Sequence, residues 1–354
     1  MGKVYVNGLG SISAQNTFDN TAFLSDVEYY TDRVIPVIDV NYKAFIPPAA
    51  ARRMAKGIKM GIAASRTALQ EANLENVDAI ITGTGMGCVR DSEKFLSAII
   101  DNDEQYLTPT PFIQSTHNTV GGQIALDMGC KGYNFTYVHA SVSFESALLD
   151  AMLQIQTDES QSILIGGVDE LAPHTIEIHK AVNHIKSEAV EASKLLQNKT
   201  KGAVFSEGAN FFVVSNEKSQ TSYAEVVDVK LINTLEADEL NTELNAFLEE
   251  QNLSIQDLSA VVLGCNGDVE FDGFYDVLAE NSLKDTSQLF YKHLSGEFHT
   301  ASSFGFWLAA RVLKLQTIPE AVVLKGDMPS EIKNVLLYNQ YRGQNHSFTL
   351  LKSC

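Results

Sequence analysis

Short runs of branched and aromatic residues alternate with stretches of helical spacing along nearly the whole chain, and this rhythm limits the fold more than any single motif. "KVYVNGLGSIS" (3–13) reads as a strand ending in glycines. "AAARRMAKGIKMGIAASRTALQEANL" (49–74) sets Met54, Ile58, Ile62, Ala63 and Leu69 at helical spacing and reads as one long helix. "DAIITGTGMG" (78–87) and "QSILIGGVDE" (161–170) read as buried strands running into glycine turns, and "GGQIALDMG" (121–129) as a helix. "NFTYVHASVSFESALLDAMLQ" (134–154) passes from strand through Ala140-Ser141 into an amphipathic helix. "GAVFSEGANFFVVSN" (202–216) and "SYAEVVDVKLINT" (222–234) read as strands paired with each other. The second half repeats the rhythm: helix at 240–253, buried strand at 258–267, helix at 272–283, strand-glycine-helix at 287–316, closing strand at 346–353. Strands alternating with helices specify a layered α/β protein. A buried strand followed by a helix in each half implies an internal duplication, divided near the polar stretch "NEKSQTS" (216–222) into 1–218 and 219–354.

The totals narrow the function. A chain of 354 residues, 45 % hydrophobic, can bury a large core. Its net charge of −18 argues against nucleic acid, whose phosphates need clustered Lys and Arg. Arg52 and Arg53 in "AARRMAKGIKMG" mark the best candidate for a local basic patch, or simply a solvated helix face. Cys88, Cys130, Cys265 and Cys354 are scattered with no CxxC pair or metal-ligand spacing, so they read as reduced thiols of a cytoplasmic protein, with no metal and no cofactor expected. The N-terminal residues lack a signal-peptide layout, and no apolar run reaches the roughly 20 residues of a membrane span. "GTGMG" (83–87) lacks the GxGxxG spacing and downstream acid of a dinucleotide loop; tight turns explain it.

From "YVHASVSFESALLDAMLQIQTDESQSILIGGVDE" the chain resembles the β-ketoacyl-acyl-carrier-protein synthases, in a degenerate form similar to chain-length-factor subunits. The family pattern is strand, Ala-Cys followed by small residues, helix, then a strand ending in Gly-Gly; Ala140, Ser141, Gly166 and Gly167 fall in register with it. "GCKGYN", "VYVNGLGSIS", "GAVFSEGANFFVVSN" and "YRGQNHSFTLL" resemble further family segments, in order and nearly chain-long. The resemblance implies the thiolase-like fold, an α/β protein of two similar βαβ-rich halves around a five-layered α/β/α/β/α core, with the second half here shortened. At the family's Phe-Gly-Gly-Thr-Asn loop, which bounds the substrate tunnel, stand Tyr341 and Asn345.

The chemistry departs from the family at its catalytic positions. The cysteine is Ser141; the first histidine, within "LGCNGD", is Asn266; the second, within "KHLSGE", is Glu297, with Lys292 and Gly296 retained. A serine hydroxyl is far less acidic than a thiol and needs an adjacent base. Asn266 can still donate to an oxyanion. A carboxylate at 297 instead repels a developing enolate, on the order of 4 kcal/mol for like charges 4 Å apart at an effective dielectric near 20. Decarboxylative condensation is therefore not expected. Cys265 is the residue before the first histidine position, and Cys88 has no ordered histidine pair downstream.

Two functional classes follow. One is a condensation-deficient partner subunit in fatty acid, polyketide or polyene biosynthesis, paired with an active ketosynthase homologue (or with itself) and serving an acyl carrier protein. In that case Ser141 only caps the following helix, and Lys292 with Glu297 forms an ion pair filling the old pocket. The other is an acyltransferase or thioester hydrolase using Ser141, with His139 or His299 as base. His117 reads as structural.

Overall fold

In the computed structural model, which describes residues 2–21 and 23–354, eleven strands form one sheet. They are β1 (Val4–Ile12), β2 (Ala79–Gly83), β3 (Tyr133–Tyr137), β4 (Ser162–Asp169), β5 (Gly208–Ser215), β6 (Ala224–Ile232), β7 (Ala260–Leu263), β8 (Ser287–Phe290), β9 (Val323–Lys325), β10 (Asn334–Tyr341) and β11 (Gln344–Lys352). The longer helices are α1 (Lys56–Ala72), α2 (Val89–Asp101), α3 (Pro109–Gln114), α4 (Thr119–Met128), α5 (Ser143–Gln156), α6 (Pro173–Ala181), α7 (Leu240–Glu250), α8 (Gly273–Glu280) and α9 (Ser302–Leu315).

The order across the sheet is β9-β8-β7-β10-β11-β6-β1-β5-β4-β2-β3. With the edge strand β9 set aside, the five remaining strands of the second half and the five of the first, each ranked in chain order, both read 3-2-4-5-1, and the pairing senses also match: parallel at β2–β3, β2–β4, β7–β8 and β7–β10, antiparallel at β4–β5, β1–β5, β10–β11 and β6–β11. The first strand of one set joins the first strand of the other through an antiparallel β1–β6 pair. We place the division between the two halves at 218/219, in the connection from β5 to β6.

Burial on both faces explains why these strands carry nearly continuous apolar runs rather than alternating ones. In β5, Phe211 and Val213 face α1, while Phe212 and Val214 face inward toward α5. In β7, Val262 faces inward and Val261 and Leu263 face out toward α7 and α8. Helices α5 and α9 lie between the two halves of the sheet, sharing one core with both. The result is five layers, α1/α4, sheet, α5/α9, sheet, α7/α8.

Two local expectations are corrected. The segments 202–216 and 222–234 do not pair with each other: β1 inserts between β5 and β6 and pairs with both. Local pattern identifies a strand, but an intervening long-range partner carries no local signal. The helix expected over 49–74 is broken. Pro48–Ala51 forms one turn, and α1 starts only at Lys56, because the Ala55 amide turns away to donate to Gln114 Oε1 at 2.7 Å. Strand β10 and helices α2 and α6 were not expected from periodicity.

Helix α1 lies so close to β1 that Gly8 and Gly10 have no room for a side chain. A Cβ at either would stand 2.1 Å from a backbone carbonyl of α1, that of Ala68 or Ala64. Gly10→Ala is expected to lower unfolding free energy by about 1–3 kcal/mol, as overpacking does. Urea denaturation checks this, and an unchanged midpoint would contradict the close approach.

Candidate functional site

Ser141 stands beyond the carboxyl end of β3, and Asn266, Lys292 and Glu297 beyond those of β7 and β8, where parallel α/β sheets open their crevices. Ser141 sits in a short turn (Ala140–Val142) between β3 and α5, entered through a left-handed Ala140 with φ of 49°. The turn is braced by Ser143, not by Ser141. Ser143 Oγ accepts from the His139 amide at 2.9 Å and lies 2.7 Å from the Ala140 carbonyl and 3.0 Å from that of Thr84. The capping role expected of Ser141 is thus corrected: no side chain caps either helical segment, and Ser141 Oγ is buried with no hydrogen-bond partner among the described residues.

Asn266, Lys292 and Glu297 do come together. Lys292 Nζ lies 2.8 Å from Glu297 Oε2, and both side chains are almost fully buried (1 % and 2 % exposed). Asn266 Nδ2 donates to the same oxygen at 2.6 Å. The Asn266 loop is fixed from beneath. Asp272 accepts from the Asn266 and Gly267 amides at 3.2 and 2.7 Å, and Lys186, also buried, donates to the Gly267 carbonyl at 2.9 Å. Burial pushes the Asp272 carboxyl up to about 6, against those two amides and the field of Lys292.

Glu297, His299 and Tyr341 line a recess together with His179, Phe205 and Met86. It offers only 30 Å³ to water centres, room for roughly two waters. Ser141 is not among its walls. Burial, then the charge of Glu297, raises the Tyr341 phenol well above its ordinary range. His139 and Asn345 lie elsewhere, on a separate cleft of 530 Å³ beside Val138 and Ser146. His139 is exposed and its Nδ1 lies 3.1 Å from Ser146 Oγ. His117 is exposed, its backbone packed near Gly87.

Some important residues were not singled out. Asp169, at the end of β4, receives Thr84 Oγ1 at 3.0 Å, the Gly85 amide at 2.8 Å, and both the amide and hydroxyl of Thr300 at 2.9 and 2.8 Å. It ties the glycine turn after β2 to the loop carrying His299. An acid directly after "GGV" at a strand's carboxyl end was the available signal. His179 is also near: its Nδ1 lies 3.1 Å from His184 Nδ1, and burial, with His184, lowers it to about 4. Glu145, one turn beyond Ser141, is fully buried. It accepts from Ser347 Oγ at 3.1 Å, its other oxygen has no partner, and burial raises its carboxyl.

Neither Cys265 nor Cys88 supplies an alternative nucleophile. Burial, then Asp272 and Asp276, holds Cys265 well above its usual value, and burial with Glu170 and Asp91 does the same for Cys88. Both are therefore neutral thiols, whereas nucleophilic chemistry needs the thiolate. Chemically, the site is a carboxylate paired with a buried lysine under a narrow recess.

An α/β sheet duplicated in this way, with a strand-to-helix turn and two loops converging at its carboxyl ends, is the architecture of a thiolase-like condensing enzyme. Residues 41–220, half of the chain, match the family model for the beta-ketoacyl synthase N-terminal domain, and the chain belongs to that family. The 3-oxoacyl-[acyl-carrier-protein] synthase 2 of Synechocystis sp. is 23 % identical over 224 residues, 60 % of this chain and 51 % of the relative. The chain spans about half the length of the curated relatives it matches. Among solved structures, the ishigamide ketosynthase/chain length factor superposes with a TM-score of 0.83 at 15 % identity, covering 100 % of this chain and 99 % of the other. A ketosynthase in complex with its chain length factor from Xenorhabdus doucetiae gives 0.76 at 13 % identity, covering 100 % and 98 %.

Two measurements test the site's energetics. Lys292→Met strands a buried carboxylate and is expected to cost about 3–5 kcal/mol, while Lys292→Met with Glu297→Leu recovers most of it. Equal losses in urea titrations of both variants would contradict the pair's isolation from water. For Asp272, the folded value near 6 exceeds the unfolded one near 3.8. Its contribution is therefore present below pH 4 and lost as the pH rises through 6. Relative to wild type, Asp272→Asn should gain roughly 2 kcal/mol between pH 4 and 7. A pH-independent difference between the two would rule this out.

Proposed function

We propose that this chain is a condensation-deficient member of the β-ketoacyl synthase family, acting as a chain-length-factor-like partner of an active ketosynthase in fatty acid or polyketide/polyene assembly. The observation that carries the reading is the Asn266–Glu297–Lys292 cluster. In a condensing enzyme the corresponding groups stabilise an enolate. Here Asn266 and Lys292 both direct a donor at Glu297, a carboxylate at the position of a family histidine. Phe144, Phe212 and Phe306 pack with ring centroids 4.8–5.7 Å apart in the core beneath the Ser141 turn, where an acyl chain would need space. We assign Ser141 as a residual nucleophile position, Tyr341 as the residue closing the recess, and His299 as a wall residue.

A partner surface supports the same reading. Strand β3 is the outer edge of the sheet, and Tyr133 and Phe135 on it are 44 % and 45 % exposed. Unpaired, apolar edge strands are liabilities that proteins cover. Both solved structures named above carry a chain length factor in their descriptions, and the curated relative is named for acyl-carrier substrates. Arg52 and Arg53, both exposed, are the place we assign for a carrier protein to touch.

A second reading, acyl transfer or thioester hydrolysis from Ser141, draws on its unpartnered hydroxyl. No base is hydrogen-bonded to it among the described residues: His139 Nδ1 lies against Ser146 Oγ, and Glu145 accepts from Ser347 Oγ. Acyl loading separates the two. Incubated with an acyl-carrier thioester, wild type should show no covalent mass increase, and should co-purify with a cysteine-containing homologue whose product formation depends on it. An acyl adduct that Ser141→Ala abolishes would establish the second reading instead.

A further inference from the structure

Arg311 and Trp307 stand one turn apart on α9, in the part of the helix beyond its amino end at the Thr300 loop. Both are buried, 4 % and 0 % exposed, and each holds an N–H that donates to nothing among the described residues: Arg311 Nε and Trp307 Nε1. The guanidinium lies over the indole, its carbon 5.4 Å from the ring centroid. Arg311 Nη1 donates to the Asn20 carbonyl at 2.9 Å. Glu71 and Asp19 act on the guanidinium through their fields, but the Glu71 carboxylate already takes the Leu9 amide, the Asn20 side-chain amide and the Tyr223 hydroxyl. A buried donor without an acceptor forfeits its hydration for no return, and a charged one forfeits most. Two of them on one helix face call for an acceptor.

Phe23 stands between these donors and a groove. Its ring lies 5.0 Å from the Arg311 guanidinium carbon and 5.8 Å from the Trp307 ring, and it also forms part of the wall of a 1020 Å³ groove. Leu24, Val27, Phe290 and Ile318 continue that wall. Among the described residues no lysine or arginine lines it. Its one histidine, His293, donates from Nε2 to the Ala321 carbonyl at 2.7 Å, and burial lowers its pKa to about 4, so it is neutral. The cation beside this apolar surface is therefore Arg311, behind Phe23. The groove shares no wall residue with the Glu297 recess.

We propose that this groove binds a medium-chain fatty carboxylate, its head group held by Arg311 Nε and Trp307 Nε1 and its tail laid along Val27, Phe290 and Ile318. Entry requires the partly buried Phe23 ring to swing aside. A carboxylate brings two charged oxygens to a guanidinium whose planar donors match them. An alcohol brings one neutral oxygen, and a carboxylate without a tail leaves the apolar wall uncovered. The inference is independent of the partner-subunit reading.

Trp307 is the only tryptophan of the chain, so tryptophan emission reads this site alone. Decanoate is titrated into the full chain below its micellar concentration. Emission should change saturably and the melting temperature should rise. Octanoate, two methylenes shorter, should bind about tenfold more weakly, since each buried methylene contributes about a fourfold factor. Decanol and acetate should each bind at least about tenfold more weakly than decanoate. Arg311→Gln should abolish the response. Because that change falls in the core, Val27→Asp is the second variant. Matched to wild type by circular dichroism and melting, it should weaken decanoate about tenfold or more and leave the unliganded emission as it was. The inference is overturned by no saturable change with decanoate, or by decanol or acetate binding as tightly. It is equally overturned if folded Arg311→Gln or Val27→Asp binds decanoate as wild type does. None of these results bears on acylation of Ser141, which tests the partner-subunit reading.

Discussion

An ammonium shut away from water must have an anion beside it, and Lys292 is such an ammonium. Its side chain is 1 % exposed and its carboxylate is Glu297, five residues on. The cost of burying either charge alone is several kcal/mol, so the two are fixed to each other before anything else about the site is decided. Once Glu297 Oε2 is held there, Asn266 can satisfy its amide only by donating to it. The Asn266 loop then needs its own amides met, which Asp272 does. Each step removes a group from the pool that could stabilise a reacting substrate. The cluster is held together by its own charges and amides.

This arrangement depends on the duplicated sheet. The elements bearing Lys292 and Glu297 follow β8, and the Asn266 loop follows β7, adjacent parallel strands of the second set. The turn with Ser141 belongs to the first set. What brings the sets together is the β1–β6 pair and the shared core of α5 and α9, with Asp169 clasping the Thr300 loop across the junction. Without that clasp the recess wall formed by His299 and the turn formed by Thr84–Met86 would have no common anchor.

Much of this was legible in the sequence, for identifiable reasons. Buried strands such as "ILIGG" and "AVVLG" announce themselves because burial on both faces demands unbroken apolar runs. The Lys292–Glu297 pair was foreseeable because a family lysine had acquired an acid within reach. The long-range relations were not legible. Whether 202–216 pairs with 222–234 or with β1 depends on a strand two hundred residues earlier, and the two possibilities leave the same local pattern. The role of Ser141 was misjudged for a similar reason. Serine before a helix is a good cap in the abstract, but here a neighbouring serine, Ser143, has the geometry, and Ala140 turns the chain so that the Ser141 hydroxyl points inward. The break before Lys56 was hidden because its cause, Gln114, lies on a different helix.

The Ser141 hydroxyl faces inward, with no hydrogen-bond partner among the described residues. One helical turn on, Glu145 is also buried, with one oxygen on Ser347 and the other unpartnered. Lys292 lowers its carboxyl somewhat, but burial is the larger influence and raises it. A serine hydroxyl is among the weakest acids a side chain offers and needs an adjacent base, and none is hydrogen-bonded to Ser141 Oγ among the described residues. Replacing Ser141 with cysteine would leave the Asn266–Glu297–Lys292 cluster unchanged, so restoring the nucleophile alone does not restore the groups with which the family's reaction is carried out.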